Sequence, residues 1–200
     1  MSTLGSLLVV SGPSGSGKTT LCRRATEAGL CQYSISCTTR DPRPGEEDGR
    51  DYHFLSMPEF ERRVAQGEFL EHALVHGNRY GTLKADIVNM LCKGINVVMD
   101  IDVQGADQVR SCDNETIKQA YADLFIHVPL KELEARLCNR ETDSEEIIRQ
   151  RLNNAAGEMA RLTSYEFLLV SADRETDYTR FSALLTTLSL RTKLIDSKTL

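Results

Sequence analysis

Residues 12–19 read Gly12-Pro13-Ser14-Gly15-Ser16-Gly17-Lys18-Thr19, a glycine-rich run that ends in a cation and a hydroxyl. The spacing fits G-x-x-x-x-G-K-[ST], a pattern whose backbone N–H groups cradle phosphates. It follows the apolar stretch Leu7-Leu8-Val9-Val10 and leads into Thr20-Leu21-Cys22-Arg23-Arg24-Ala25, which reads as a helix. A strand that turns on glycines into a helix start aims several N–H groups at one point, where the helix dipole also favours negative charge. Lys18 is placed to reach the β/γ-phosphates and the Thr19 hydroxyl to ligate Mg²⁺. A merely flexible glycine turn would not need strand, loop and helix in this order, so the run predicts a nucleoside triphosphate site.

A second constellation lies in Ser36-Cys37-Thr38-Thr39-Arg40-Asp41-Pro42-Arg43-Pro44-Gly45, where two arginines stand three apart between prolines. Guanidinium forks held on a stiffened loop suit a bidentate grip on a phosphate. Tyr52 and Tyr80 can add phenol donors to the same oxygens, although a tyrosine taken singly is more often a packing residue. His72 and His76 would pair on a helix, but the segment from Phe69 to Val75 precedes Gly77-Asn78 and reads as a strand, which removes the metal-pair geometry. The six cysteines, Cys22, Cys31, Cys37, Cys92, Cys112 and Cys138, form no C-x-x-C pair and read as free thiols of a reducing compartment. Cys37 adjoins Ser36, and pattern alone leaves open whether its thiol faces the ligand or the core.

Elements able to position these groups follow from alternating apolar runs and amphipathic segments, which predict a parallel sheet flanked by helices. Candidate core strands are Leu7–Val10, Ser34–Cys37, Asn96–Ile101, Leu124–Val128 and Phe167–Val170. Between the second and third, the chain from Arg40 to Asp51 is rich in Pro, Gly and charge, and short strands follow at Tyr52–Leu55 and Phe69–Val75. Ser56-Met57-Pro58-Glu59 between them resembles a capping box with proline in the first turn. These features predict a small lobe inserted into the core. Asn139–Ser144 is polar and lies between helix-like Lys131–Cys138 and Glu145–Leu162, so it is a candidate mobile lid. The tail Arg191–Leu200 lacks periodicity and is expected to fray.

Composition sets the outer limits. With 200 residues, 40% apolar and 26% charged, the chain suits one domain or one domain with a small inserted lobe. Its net charge of −5 argues against broad binding of a nucleic-acid polymer, so any anion site must be local. No apolar run reaches a membrane span, and Met1-Ser2-Thr3-Leu4-Gly5 has no basic region ahead of an export signal, which gives the expectation of a cytoplasmic protein without a membrane partner.

The joint pattern resembles the guanylate kinases, members of the nucleoside monophosphate kinase superfamily. The resemblance is carried by G-P-S-G-S-G-K-T, S-C-T-T-R-D-P-R-P-G-E, G-R-D-Y-H-F, F-L-E-H-A, G-N-R-Y-G-T, D-I-D-V-Q-G-A and R-L-C-N-R followed by S-E-E-I and Arg151, in order over residues 5–188. It implies an α/β P-loop three-layer fold, with a core over 5–37 and 83–188, a GMP-binding lobe over about 38–82 and a mobile lid over about 139–146. It also implies transfer of the γ-phosphoryl group of ATP to GMP, giving ADP and GDP, with Mg²⁺. By the resemblance, the GMP phosphate is held by Arg40, Arg43, Tyr52 and Tyr80, and the guanine by Ser36, Glu71, Thr82 and Asp102. Asp100 lies near the metal and its waters, while Arg136, Arg140 and Arg151 complete the donor side.

Guanine chemistry agrees with that assignment. Its adjacent N1–H and N2–H₂ donors suit a carboxylate such as Glu71, and its O6 suits a hydroxyl such as Ser36, whereas adenine leaves the carboxylate facing the wrong groups. No general base is required, because a phosphate monoester with second pKa near ~6 is mostly deprotonated at neutral pH. The chain departs from the family pattern at Glu141 after the lid arginine, at Arg79 beside Tyr80, and at Ser171-Ala172-Asp173 near the adenine. Two other classes share parts of the pattern. A non-catalytic guanylate-kinase-like interaction module typically lacks the P-loop lysine or the lid arginines, and a kinase for another phosphorylated acceptor lacks the guanine-reading set.

Overall fold

The computed structural model describes residues 3–75, 77–138 and 145–195. His76, the proposed lid Asn139–Ser144 with Arg140 and Glu141, and residues 196–200 of the tail lie outside the described residues.

Among the described residues, nine strands and eight α-helices follow in order. They are β1 (Leu7–Ser11), α1 (Lys18–Glu27), β2 (Gln32–Tyr33), β3 (Cys37–Thr38), β4 (His53–Phe54), α2 (Met57–Ala65), β5 (Phe69–Val75), β6 (Asn78–Leu83) and α3 (Lys84–Cys92). The second half holds β7 (Val97–Asp100), α4 (Val103–Arg110), α5 (Glu115–Ala120), β8 (Tyr121–His127), α6 (Leu130–Cys138), α7 (Glu145–Met159), β9 (Phe167–Val170) and α8 (Arg174–Ser189).

The core sheet has the order β2-β7-β1-β8-β9, with every neighbouring pair parallel. A parallel sheet is covered on both faces, so its central strands are continuously apolar. All five residues of β1 are buried. Their side chains alternate: Leu8 and Val10 join Leu21 and Ala25 of α1 and Phe181 of α8, whereas Leu7 and Val9 join Ile87 of α3, Val109 of α4 and Ile117 of α5. Three layers result, and the C-terminal ends of β1 and β7 open toward the glycine loop.

A second sheet, order β4-β3-β6-β5, lies between β2 and β7 in sequence. Helix α2 closes its apolar side, where buried Cys37, Phe60 and Phe69 cluster and the two rings stack at 4.3 Å. Ser56 caps α2 by accepting from Glu59 N at 3.3 Å, with Pro58 in the first turn. The Glu59 carboxylate turns to Arg62 and Arg63.

Several sequence expectations change here. The proposed core strand Ser34–Cys37 divides: β2 pairs with β7, Ser34 N makes one further bond to Val98 O at 3.0 Å, and the chain then crosses to β3 in the other sheet. Polar Ser34 and Ser36 mark the crossing, where alternation ends. Strand β6 has no apolar run and pairs antiparallel with β5 from Val75↔Asn78, the chain reversing at Gly77 with φ +80°. Strand β8 starts at Tyr121, because buried Asp123 is neutralised by Arg110 at 2.5 Å and by the Tyr121 hydroxyl at 2.6 Å. The tail is docked as far as Ile195: Leu194 is buried, and Leu4 N donates to Leu194 O at 2.8 Å.

Candidate active site

The glycine loop joins β1 to α1 in backbone conformations that only glycine adopts easily. Gly12 has φ +142°, and a Cβ there would meet Ile126 O at 2.4 Å. Gly17 caps α1 in the left-handed region at φ +94° with no side-chain cap, leaving the first-turn N–H groups of the helix toward the loop. Lys18 Nζ donates to the loop carbonyls of Gly12 at 2.6 Å and Pro13 at 3.1 Å. In parallel register Val10 stands beside Asp100, which brings the Asp100 carboxylate within 2.5 Å of Thr19 Oγ1. Gly12, Ser14, Gly15, Gly17, Lys18, Thr19, Asp100 and Asp102 line one cavity of about 370 Å³. A hydroxyl and a carboxylate oxygen converging beside a lysine form a hard-oxygen corner suited to Mg²⁺, which keeps most of its waters. Among the described residues no three His, Cys, Asp or Glu side chains gather around a metal position. His72 lies in β5, as the strand reading required.

The four residues assigned to guanine come together although they lie on three elements and a connection. Thr82 Oγ1, on β6, donates to Glu71 Oε1, on β5, at 2.7 Å, and Ser36 Oγ lies 3.1 Å from Thr82 Oγ1. Asp102 caps α4, its Oδ1 accepting from Gly105 N at 2.8 Å. Gly105 leaves space where these groups meet: a Cβ there would lie 3.2 Å from Glu71 Oε2 and 3.4 Å from Asp102 Oδ1. Glu71 is buried, and burial, helped by the neighbouring Asp102 charge, pushes its carboxyl up to about 7 against the bond from Thr82.

Arg40, Tyr52 and Tyr80 also converge. The Arg40 guanidinium stands 5.6 Å from the Tyr52 ring centroid, and the two tyrosine rings are 6.1 Å apart. Arg40 Nη2 meets both oxygens of Glu46 at 3.0 Å, while Glu46 Oε2 also accepts from Arg43 N at 2.8 Å. Glu46 therefore fixes the loop that carries both arginines, and the Arg43 residue itself is exposed. Sequence reasoning passed over Glu46 because it sits in a charge-rich loop; its signal was the three-residue spacing from Arg43.

On the donor side, Arg151 Nη1 of α7 donates to Ser14 Oγ at 3.1 Å. Arg136 of α6 lines a second cavity, about 640 Å³, together with Gly15, Ser16, Gly17 and Thr20 of the loop and its helix. Glu158, which the sequence reading missed, lines the Lys18 cavity. Burial raises its carboxyl, with Lys18 opposing and Asp102 adding to the shift. Its spacing from Arg151, two turns along α7 on the same face, was the available signal.

Cys37 does not face this site. It is fully buried under α2, and burial pushes its thiol up to about 11, so the inert-core alternative is the one observed. All six cysteines are free thiols.

Comparison with known proteins converges on one family. The guanylate kinase family model matches residues 5–188. The chain is 43% identical over 173 residues to a guanylate kinase of Fusobacterium nucleatum, covering 86% of this chain and 91% of that one. It is 46% identical over 179 residues to a guanylate kinase of Caulobacter vibrioides, covering 87% and 81%. Its fold is similar to the crystal structure of guanylate kinase from Anaplasma phagocytophilum, with TM-score 0.74 and 30% identity over 96% of this chain and 90% of that one. A family match spanning both sheets and the glycine loop leaves a single assignment: the chain belongs to the guanylate kinase family.

Proposed function

We propose that the chain transfers the γ-phosphoryl group of ATP to GMP, giving ADP and GDP, and that the residues assembled above divide between the two nucleotides. The observation that carries this reading is the set Ser36, Thr82, Glu71 and Asp102, with Glu71 and Thr82 buried, which offers hydroxyls and carboxylates in one recess. Two carboxylates suit the N1–H and N2–H₂ donors of guanine and disfavour a base that presents lone pairs there. A mismatch costs on the order of 1–3 kcal/mol per unpaired buried group.

Arg40, Arg43, Tyr52 and Tyr80 would hold the GMP phosphate on the second sheet. The loop Gly12-Pro13-Ser14-Gly15-Ser16-Gly17-Lys18-Thr19 would hold the ATP phosphates, with Arg136 and Arg151 adding positive charge from α6 and α7. Arg140, outside the described residues, is assigned to this set by the resemblance. Positioned cations lower the barrier by matching charge spread over the transferring group. Thr19 and Asp100 are the residues that would hold Mg²⁺ and its waters; when bound, the ion neutralises phosphate charge. Deprotonated GMP needs no base to remove a proton, so positioning and electrostatics supply the catalysis.

Among the described residues no helix is long and apolar enough to cross a membrane, which is compatible with the cytoplasmic location we assign. A coupled ADP-release assay with ATP, Mg²⁺ and each nucleoside monophosphate in turn tests the proposal. Turnover with GMP and not with AMP, CMP or UMP is the expected result; equal turnover with AMP would overturn it.

A further inference from the structure

The segment Ser171-Ala172-Asp173, singled out by sequence as unusual, follows β9, and its Ala172 and Asp173 line the 640 Å³ cavity together with Asp177. Ser171 N continues the parallel ladder by donating to His127 O at 2.9 Å. The next residues start α8, whose cap Asp173 accepts from Glu175 N at 3.1 Å and Thr176 N at 3.0 Å. Asp177 sits in the first turn of that helix, on the side facing back toward β9.

Asp177 is buried, and both its oxygens are engaged. Oδ1 accepts from Ala172 N at 2.8 Å, and Oδ2 accepts from the Ser171 hydroxyl at 2.7 Å. Ser171 Oγ in turn accepts from Arg136 Nη2 at 2.9 Å. The second proton of Nη2 goes to Glu132 Oε1 at 2.5 Å, one turn back on α6. The guanidinium plane is therefore fixed from two sides at one nitrogen. Among the described residues nothing accepts from its Nε or Nη1.

The direction of the protons is dictated by chemistry. A hydroxyl has one proton, and Asp177, ionised, can only accept. Ser171 must donate to Asp177, and this turns its lone pairs to Arg136. An amide at position 177 would break that order: with its carbonyl on Ala172 N, it would aim an N–H₂ at an oxygen that already receives Arg136.

We infer that Ser171 and Asp177 are positioning residues for the donor nucleotide, a polar relay that holds Arg136 over the outer cavity. This inference rests on the proposed reading that Arg136 serves the donor side. Asp177 was invisible by motif, because nothing in a helical first turn distinguishes a buried carboxylate from a solvated one.

Equilibrium binding of ADP and, separately, of GMP to four single variants tests the relay. Ser171→Ala and Asp177→Asn should each weaken ADP by about tenfold, the size of one hydrogen bond to a charged group, with GMP affinity unchanged. Ser171→Thr keeps the hydroxyl and should bind ADP like the unmodified chain. The Ser171→Ala/Asp177→Asn double variant should be no weaker than the weaker single variant, because both break one relay. Multiplying effects would show two independent structural roles and overturn the inference. Unchanged ADP binding in Ser171→Ala, with clear weakening in Arg136→Ala, would overturn the relay and leave the donor reading standing. Unchanged ADP binding in Arg136→Ala would overturn both.

Discussion

Thr82 Oγ1 donates its proton to Glu71 Oε1 at 2.7 Å, and this one bond orders the whole acceptor recess. With that proton committed, the 3.1 Å contact between Ser36 and Thr82 has Ser36 as donor. The hydroxyls thus form a chain running from Ser36 through Thr82 to the carboxylate. A guanine entering the recess presents N–H groups to Glu71 and its O6 acceptor to Ser36, whose single proton must turn from Thr82 to O6. The Thr82 bond stays in place and holds the Glu71 carboxylate ready, which lowers the ordering cost of binding.

Glu71→Gln tests the carboxylate. The amide oxygen can keep the bond from Thr82, but the amide nitrogen then meets guanine donors with donors of its own. GMP efficiency should fall by about tenfold or more, a loss of order 1–3 kcal/mol, with the KM for ATP little changed. Steady-state kinetics with each substrate varied in turn measures this, and unchanged GMP kinetics would reduce Glu71 to a buried strand residue.

Protonation gives an independent readout. The folded carboxyl of Glu71 titrates at about 7 against an ordinary 4.5. A raised acid favours its protonated form in the fold, so its contribution to stability is fully present below 4.5 and is lost as pH rises through about 7. GMP binding has the opposite demand, because the guanine donors need the carboxylate. GMP affinity should therefore weaken as pH falls from 8 to 6, more steeply than in Glu71→Gln, whose residual slope reports only the phosphate of GMP. Calorimetric titrations of both proteins across this range make the comparison; identical slopes would rule out the Glu71 proton.

The parts of this site legible in sequence are those whose chemistry is local. Gly12 to Thr19 could be placed because a phosphate cradle needs one continuous run between a strand and a helix. Glu71, Thr82 and Ser36 are far apart in the chain, and residues alone would have left Glu71 a solvated strand position; only the family resemblance joined them. Strand β6 was unreadable because Arg79, Tyr80 and Thr82 serve the site and its surroundings rather than an apolar face. Glu46, Glu158 and Asp177 escaped for a related reason: a carboxylate acquires its role from what packs against it, and charge patterning alone cannot distinguish a buried acid from a wet one.

Lys18→Ala should separate the two nucleotide sites. Lys18 Nζ lies on the carbonyls of Gly12 and Pro13, at the loop and away from the second sheet that carries Arg40, Tyr52 and Glu71. Turnover should fall on the order of 10²-fold or more, since a positioned cation on the transferring phosphates is removed. GMP affinity should remain within about twofold, because no acceptor-side hydrogen bond worth a tenfold change is lost. Turnover close to that of the unmodified chain would sink the phosphate-loop assignment.

Cys37 offers a test of which way β3 faces. The strand turns successive side chains to opposite faces, and the Cys37 thiol falls on the face closed by Phe60 and Phe69. With its pKa pushed up to about 11 by burial, Cys37 has almost no thiolate at neutral pH despite Arg40 and Arg43 nearby in sequence. Cys92 and Cys138 are exposed, so iodoacetamide should alkylate these first while Cys37 remains unmodified in the folded protein. Peptide mapping after limited alkylation reads the order directly. Loss of activity that GMP prevents, and that disappears in Cys37→Ser, would show instead that this thiol reaches the acceptor recess and that the packing of α2 over β3 opens in solution.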